Sequence, residues 1–140
     1  MSWLIFALLS ALFAALTAIL AKIGVRNIDS NLATAIRTVV ITLFAWGIVL
    51  AQGTYKNISE ISKNTLLFLV LSGFATGLSW IFYFRALQLG EASKVVPIDK
   101  LSLVLTIIFA GLLLHEKVSW VSVGGAILMT MGAVVIALWG

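Results

Sequence analysis

The stretch VSWVSVGGAILMTMGAVVIALW, residues 118–139, runs from Val118 to Trp139 without one charged side chain. A helix rises ~1.5 Å per residue and the bilayer hydrocarbon is ~30 Å thick, so about twenty apolar residues are needed to cross it. This stretch has that length. A core helix of a soluble protein would carry polar residues on one face at a period of ~3.6, whereas here the residues are apolar or small almost all round. Working outward, four further stretches read the same way, at residues 3–21, 32–51, 66–84 and 95–114. They imply an all-α integral membrane protein, with residues 1–140 forming a compact bundle of five transmembrane helices.

Composition agrees: 62% of residues are hydrophobic, 10% are charged and mean hydropathy is +1.18, outside the range of water-soluble domains. The net charge of +4 is spread over nine Lys and Arg that stand singly in loops and at span ends. No basic run could track a nucleic acid, so none is expected as a partner. The absence of cysteine excludes disulfides and thiolate metal sites. The first span lacks a basic leader, and its apolar run exceeds the ~7–15 residues of a signal peptide, so it reads as a retained helix.

The connections, at residues 22–31, 52–65, 85–94 and 115–117, leave no room for a soluble domain and make neighbouring helices antiparallel. Pro97, the one proline, is expected in the first turn of the fourth helix, where a missing N–H costs little, and the helices should otherwise run unbroken. Five crossings place the two ends on opposite sides. Lys22, Arg26, Arg37, Arg85, Lys94 and Lys100 then fall towards one side, and Lys56, Lys63 and Lys117 towards the other. Without Arg37 and Lys100, which lie within spans, the basic bias is too small to fix one orientation, and dual insertion stays open.

Charges inside spans point to chemistry. The apolar run 101–114 covers only ~21 Å, so the fourth span must draw in residues back to about Val95, taking Asp99 and Lys100 below the surface. Such groups are costly unless they face water or a partner, which makes them candidate substrate contacts. The alternative is that Asp99 stabilises a helix N-terminus while Lys100 snorkels to the headgroups. Arg37 reads first as a snorkelling residue, because eighteen uncharged residues follow it.

Polar stripes accompany these charges. Asp99, Ser102 and Thr106 are spaced i, i+3, i+7; Ser72, Thr76, Ser79 and Tyr83 are spaced i, i+4, i+7, i+11; Thr34, Thr38 and Thr42 are four apart. They line one cavity, or else their hydroxyls bond their own backbone carbonyls and neighbouring helices. Trp80 and Tyr83 belong near its mouth or serve as interfacial anchors. Small residues supply packing faces: the Gly73–Gly77 GxxxG pair, the Ala7, Ala11, Ala15 repeat, and the last span with Gly124, Gly125 and Gly132 as a dimer face. Catalytic signatures are missing. His115, the one histidine, stands beside Glu116 in a short turn, without the HExxH spacing of zinc hydrolases, and no GxSxG, P-loop or paired intramembrane carboxylate occurs. Neither an enzyme nor a bound cofactor or metal is expected.

In order along the chain, Trp80-Ile-Phe-Tyr-Phe-Arg-Ala-Leu-Gln-Leu-Gly90, Val96-Pro97, Leu114-His-Glu116-Lys-Val118, Gly124-Gly125-Ala126-Ile-Leu128 and Gly132 resemble one EamA-type domain of the drug/metabolite transporter superfamily. The likeness covers essentially the whole chain. Tyr83 to Leu87 match the Tyr-x-x-Ala-Leu-like end of the family's third helix, Glu116 its short-turn glutamate, Arg37 an arginine near the start of its second helix, and Lys22 a basic residue closing the first. The resemblance implies transport of small metabolites or drugs by alternating access, usually by ten helices built from two inverted five-helix repeats. Here there is one repeat, and Leu103 stands where many members carry another proline. The expectation is a half-size, multi-pass carrier of the cell (inner) membrane, working as an antiparallel homodimer or with a paired half-transporter. Its substrate contacts would be Arg37, Ser79, Tyr83, Asp99, Lys100, Ser102 and Thr106. The rival is a non-transporting subunit that binds a partner membrane protein.

Overall fold

The computed structural model describes residues 2–140. Its helices are α1 (Ser2–Gly24), α2 (Ser30–Gln52), a short 3-10 helix (Thr54–Glu60), α3 (Lys63–Leu89), α4 (Ala92–Asp99), α5 (Ser102–Leu113) and α6 (Trp120–Trp139), and no strand occurs among the described residues. Among the described residues five spans are long and apolar enough to cross a membrane: Trp3–Gly24, Ser30–Gln52, Lys63–Leu89, Ala92–Leu113 and Trp120–Trp139. The third is longer than its apolar stretch, because Lys63 to Thr65 and Arg85 to Leu89 continue the helix beyond it. Phe68, Phe74 and Phe82 on α3 are each 70% exposed, a surface that suits lipid tails and not water.

The chain divides into two units, residues 21–88 and residues 1–20 with 89–140. In the first, α2 starts at Asp29, whose carboxylate accepts from the N–H groups of Asn31 (2.9 Å) and Leu32 (3.1 Å). That satisfies two of the helix's orphan donors and sets a negative charge at the positive end of its dipole. Gly53 ends the helix at φ 72°, a left-handed conformation that costs glycine nothing, and its N–H turns back to Val49 and Leu50. The core consists of Ala21 and Val25 with Phe84 and Leu87, joined by Ser30 and Thr34 of α2.

In the second unit α6 packs against α4 and α5. Ala126 and Ala133, two turns apart on α6, are its buried small residues, and Ser119 caps the helix by accepting from the Ser122 N–H at 3.1 Å. After α5 the chain reverses at His115, the one non-glycine residue with positive φ (55°) among those described. The Glu116 N–H then reaches the Ala110 carbonyl at 3.1 Å, which satisfies one of the orphan carbonyls at the end of α5. Gly111 lets the returning chain close: a β-carbon there would stand 3.3 Å from Val118 Cγ2.

The fourth span departs from the expectation of unbroken helices. Because the helix begins at Ala92, Pro97 lies inside α4 instead of in its first turn. It cannot donate to the Ser93 carbonyl, and its ring crowds that oxygen. Three residues on, the ladder tightens: the Leu101 N–H bonds Ile98 (3.0 Å), Leu103 bonds Lys100 (3.0 Å) and Val104 bonds Leu101 (3.0 Å), all three-residue steps that separate α4 from α5.

Candidate functional site

Residues 21–88 bring α2 and α3 together around Arg37. It is the eighth residue of α2, ~10 Å along the helix axis from Ser30. Its guanidinium lies over the Trp80 ring, 4.4 Å from the centroid, and over Phe84 at 5.2 Å. Trp80, Tyr83 and Phe84 are spaced i, i+3, i+4 on α3, so one helix face presents all three rings. Phe84 is only 2% exposed, and Tyr83 meets its edge at 6.2 Å and 85°. An aromatic face attracts a cation by its quadrupole, by ~0.5–1 kcal/mol at exposed sites and more where water is excluded. Arg37 is half-buried against these rings.

Below this cluster, towards the same helix ends, the chain is clasped by long-range polar bonds. Lys22 donates Nζ to the Leu87 carbonyl in the last turn of α3, where a cation suits the negative end of the dipole. Gln88 donates Nε2 to the carbonyls of Val25 (2.9 Å) and Ile28 (2.6 Å), and accepts from Arg85 at 3.0 Å. The sequence motif around Tyr83 and Leu87 contained these residues, but not their partners.

In the other unit, Asp99 and Lys100 pair with each other, Oδ2 to Nζ at 3.7 Å, both partly open. Asp99 is the last residue of α4 and Ser102 the first of α5, so the spacing that aligned Asp99 with Ser102 and Thr106 does not run along one continuous helix. Asp99 makes no capping bond: α5 starts without a side-chain cap. Thr106 donates to the Ser102 carbonyl at 2.8 Å.

The threonines of the other stripes bond in the same local way. Thr34, Thr38 and Thr42 donate to Ser30, Thr34 and Thr38 at 2.9, 2.8 and 2.8 Å, and Thr76 donates to Ser72 at 2.9 Å. Their hydroxyl protons are therefore engaged within their own helices, and only oxygen lone pairs remain for a ligand. Ser79 and Ser102 are exposed. A groove of about 390 Å³ runs along α3, lined by Val70, Gly73, Phe74, Gly77, Leu78 and Ile81. Gly73, Gly77, Gly124, Gly125 and Gly132 all face open space. No cluster of three His, Cys, Asp or Glu able to hold a metal occurs among the described residues.

The chain is 51% identical over 138 residues to a protein of Sinorhizobium sp described as an uncharacterized transporter in the cobO 3' region, an alignment that covers 99% of this chain and 98% of the relative. No solved structure matches it significantly. The model of the EamA-like transporter family matches residues 1–138. With five apolar spans and a match over nearly every residue, the chain belongs to the EamA-like transporter family.

Proposed function

We propose that the protein is a half-size carrier that moves a small metabolite or drug across the cell (inner) membrane by alternating access, as a dimer. The observation that carries this reading is the 51% identity, over nearly the full length of both chains, to a protein named as a transporter. Five span-length helices amount to one half of an inverted-repeat carrier, so a second five-helix unit of opposite orientation completes the cavity. Its proposed substrate contacts are Arg37, Ser79 and Tyr83 within residues 21–88, and Asp99, Lys100, Ser102 and Thr106 within residues 89–140. The open faces at Gly124, Gly125 and Gly132 on α6 allow close helix approach in the dimer.

The test is uptake of a panel of labelled metabolites into liposomes that contain only this protein. Transport by the wild type, lost in Asp99→Asn and Lys100→Ala proteins that still fold, supports the carrier and its charged contacts. Wild-type flux in both variants removes Asp99 and Lys100 from the site. An inert chain that copurifies only with a different membrane protein favours the subunit reading. Tags at both termini decide the dimer: mixed orientations support a homodimer, and one fixed orientation requires a separate, oppositely inserted partner.

A further inference from the structure

We infer that Arg37, backed by Trp80 and Phe84, is a subsite for one carboxylate, and that the transported solute is an organic monoanion. This deepens the carrier reading and rests on it.

The inference starts from charge. Among the described residues the ion pairs are Glu91 with Lys94 and Asp99 with Lys100, and Arg37 belongs to neither. The Asp99–Lys100 pair is electrically balanced by itself. Arg37 contributes a full positive charge from within a membrane-spanning helix, half-buried against rings at 4.4 and 5.2 Å. Aromatic quadrupoles attract a cation but do not cancel its charge, and an ionised group within a span is costly, a cost that an opposite charge joining it lowers.

Geometry then selects the anion. The five N–H donors of a guanidinium lie in one plane as a fork that fits a planar carboxylate with two parallel bonds. A phosphate dianion would leave one negative charge uncompensated in the same surroundings, so a carboxylate fits better. Trp80, 4.4 Å from the guanidinium, is the apolar neighbour for the body of the solute.

Trp80 also reports on the site. With Trp3, Trp46, Trp120 and Trp139 replaced by Phe, and the protein held in lipid nanodiscs, Trp80 fluorescence is titrated with benzoate, with benzamide as a neutral probe of the same shape, and with inorganic phosphate. We expect a saturable change with benzoate, none with benzamide, and phosphate weaker than benzoate. Arg37→Gln should abolish the response, and Arg37→Lys, which keeps the charge but loses the fork, should weaken benzoate by about tenfold. Should Arg37→Gln fail to fold, the Arg37→Lys series and the benzoate-to-benzamide ratio in the parent protein carry the test. Equal binding of benzamide, phosphate tighter than benzoate, or unchanged benzoate affinity in Arg37→Gln each overturns the subsite. Liposome flux separates this from the carrier reading: transport of neutral or cationic solutes that survives Arg37→Gln retains the carrier and sinks the subsite, whereas benzoate binding without flux of any solute retains the subsite and sinks the carrier.

Discussion

Gln88→Leu tests whether the clasp between the end of α3 and the turn after α1 contributes to stability. In the native chain Gln88 Nε2 donates to Val25 O at 2.9 Å and to Ile28 O at 2.6 Å. Leucine keeps most of the volume, removes both donated bonds and also removes the Oε1 that accepts from Arg85, an exposed bond that solvent replaces at little cost. The two losses differ in weight. Val25 is 1% exposed, so no water replaces the lost donor at its carbonyl, which costs about 1–1.5 kcal/mol. The Ile28 bond is exposed, and solvent takes over there at a cost of about 0.5 kcal/mol or less. Together the change destabilises the fold by about 1.5 kcal/mol, roughly tenfold in the folded-to-unfolded ratio. Membrane hydrogen bonds averaging ~0.6 kcal/mol set the lower bound. Reversible unfolding in mixed micelles measures the total, and amide exchange over residues 25–30 locates it. Arg85→Ala, which removes only the exposed 3.0 Å bond to Gln88 Oε1, should cost under about 0.5 kcal/mol. Equal costs for the two variants, or no gain in exchange over residues 25–30, would refute the assignment of stability to the buried carbonyl.

Three further outcomes follow from local geometry. His115→Gly relieves a side chain held at φ 55° and should raise stability by about 0.5–1 kcal/mol, whereas His115→Val should lower it, both read from unfolding midpoints. Asp29→Ala removes two bonds to α2's first N–H groups and should cost about 1 kcal/mol, with faster exchange at Asn31 and Leu32 and no change in α6. Pro97→Ala gives the Ser93 carbonyl a donor, so the fourth span should lose its tightened turn; slower exchange at residues 98–101 checks this, and unchanged exchange would show that the break has another cause.

Much of this protein is local in the sequence. Whether residues 118–139 cross a bilayer depends only on their run of apolar side chains, and the same holds for the other four spans. The threonine bonds are local as well: each hydroxyl reaches back four residues within its helix, so the sequence could name that option but not decide it. Pro97 was harder to read. Its effect depends on where the helix starts, and Glu91 and Ala92 begin it earlier than the apolar run suggests, which moves the proline from a harmless first turn to the interior. The alignment of Asp99 with Ser102 and Thr106 presumed one regular helix, and the three-residue steps at Lys100 and Leu101 interrupt it.

Tertiary structure alone decided the pairings. Arg37 finds Trp80 and Phe84, Lys22 finds Leu87 and Gln88 finds Val25 across long stretches of chain, and nothing in the spacing of one partner names the other. In a membrane the hydrophobic effect no longer orders which helix meets which, so these contacts rest on a few polar and aromatic groups whose matching depends on packing. The i, i+3, i+4 face of Trp80, Tyr83 and Phe84 was the one sequence signal for the ring cluster. Hydropathy fixed how many times the chain can cross; the folding of α2 against α3 fixed which rings meet the Arg37 guanidinium.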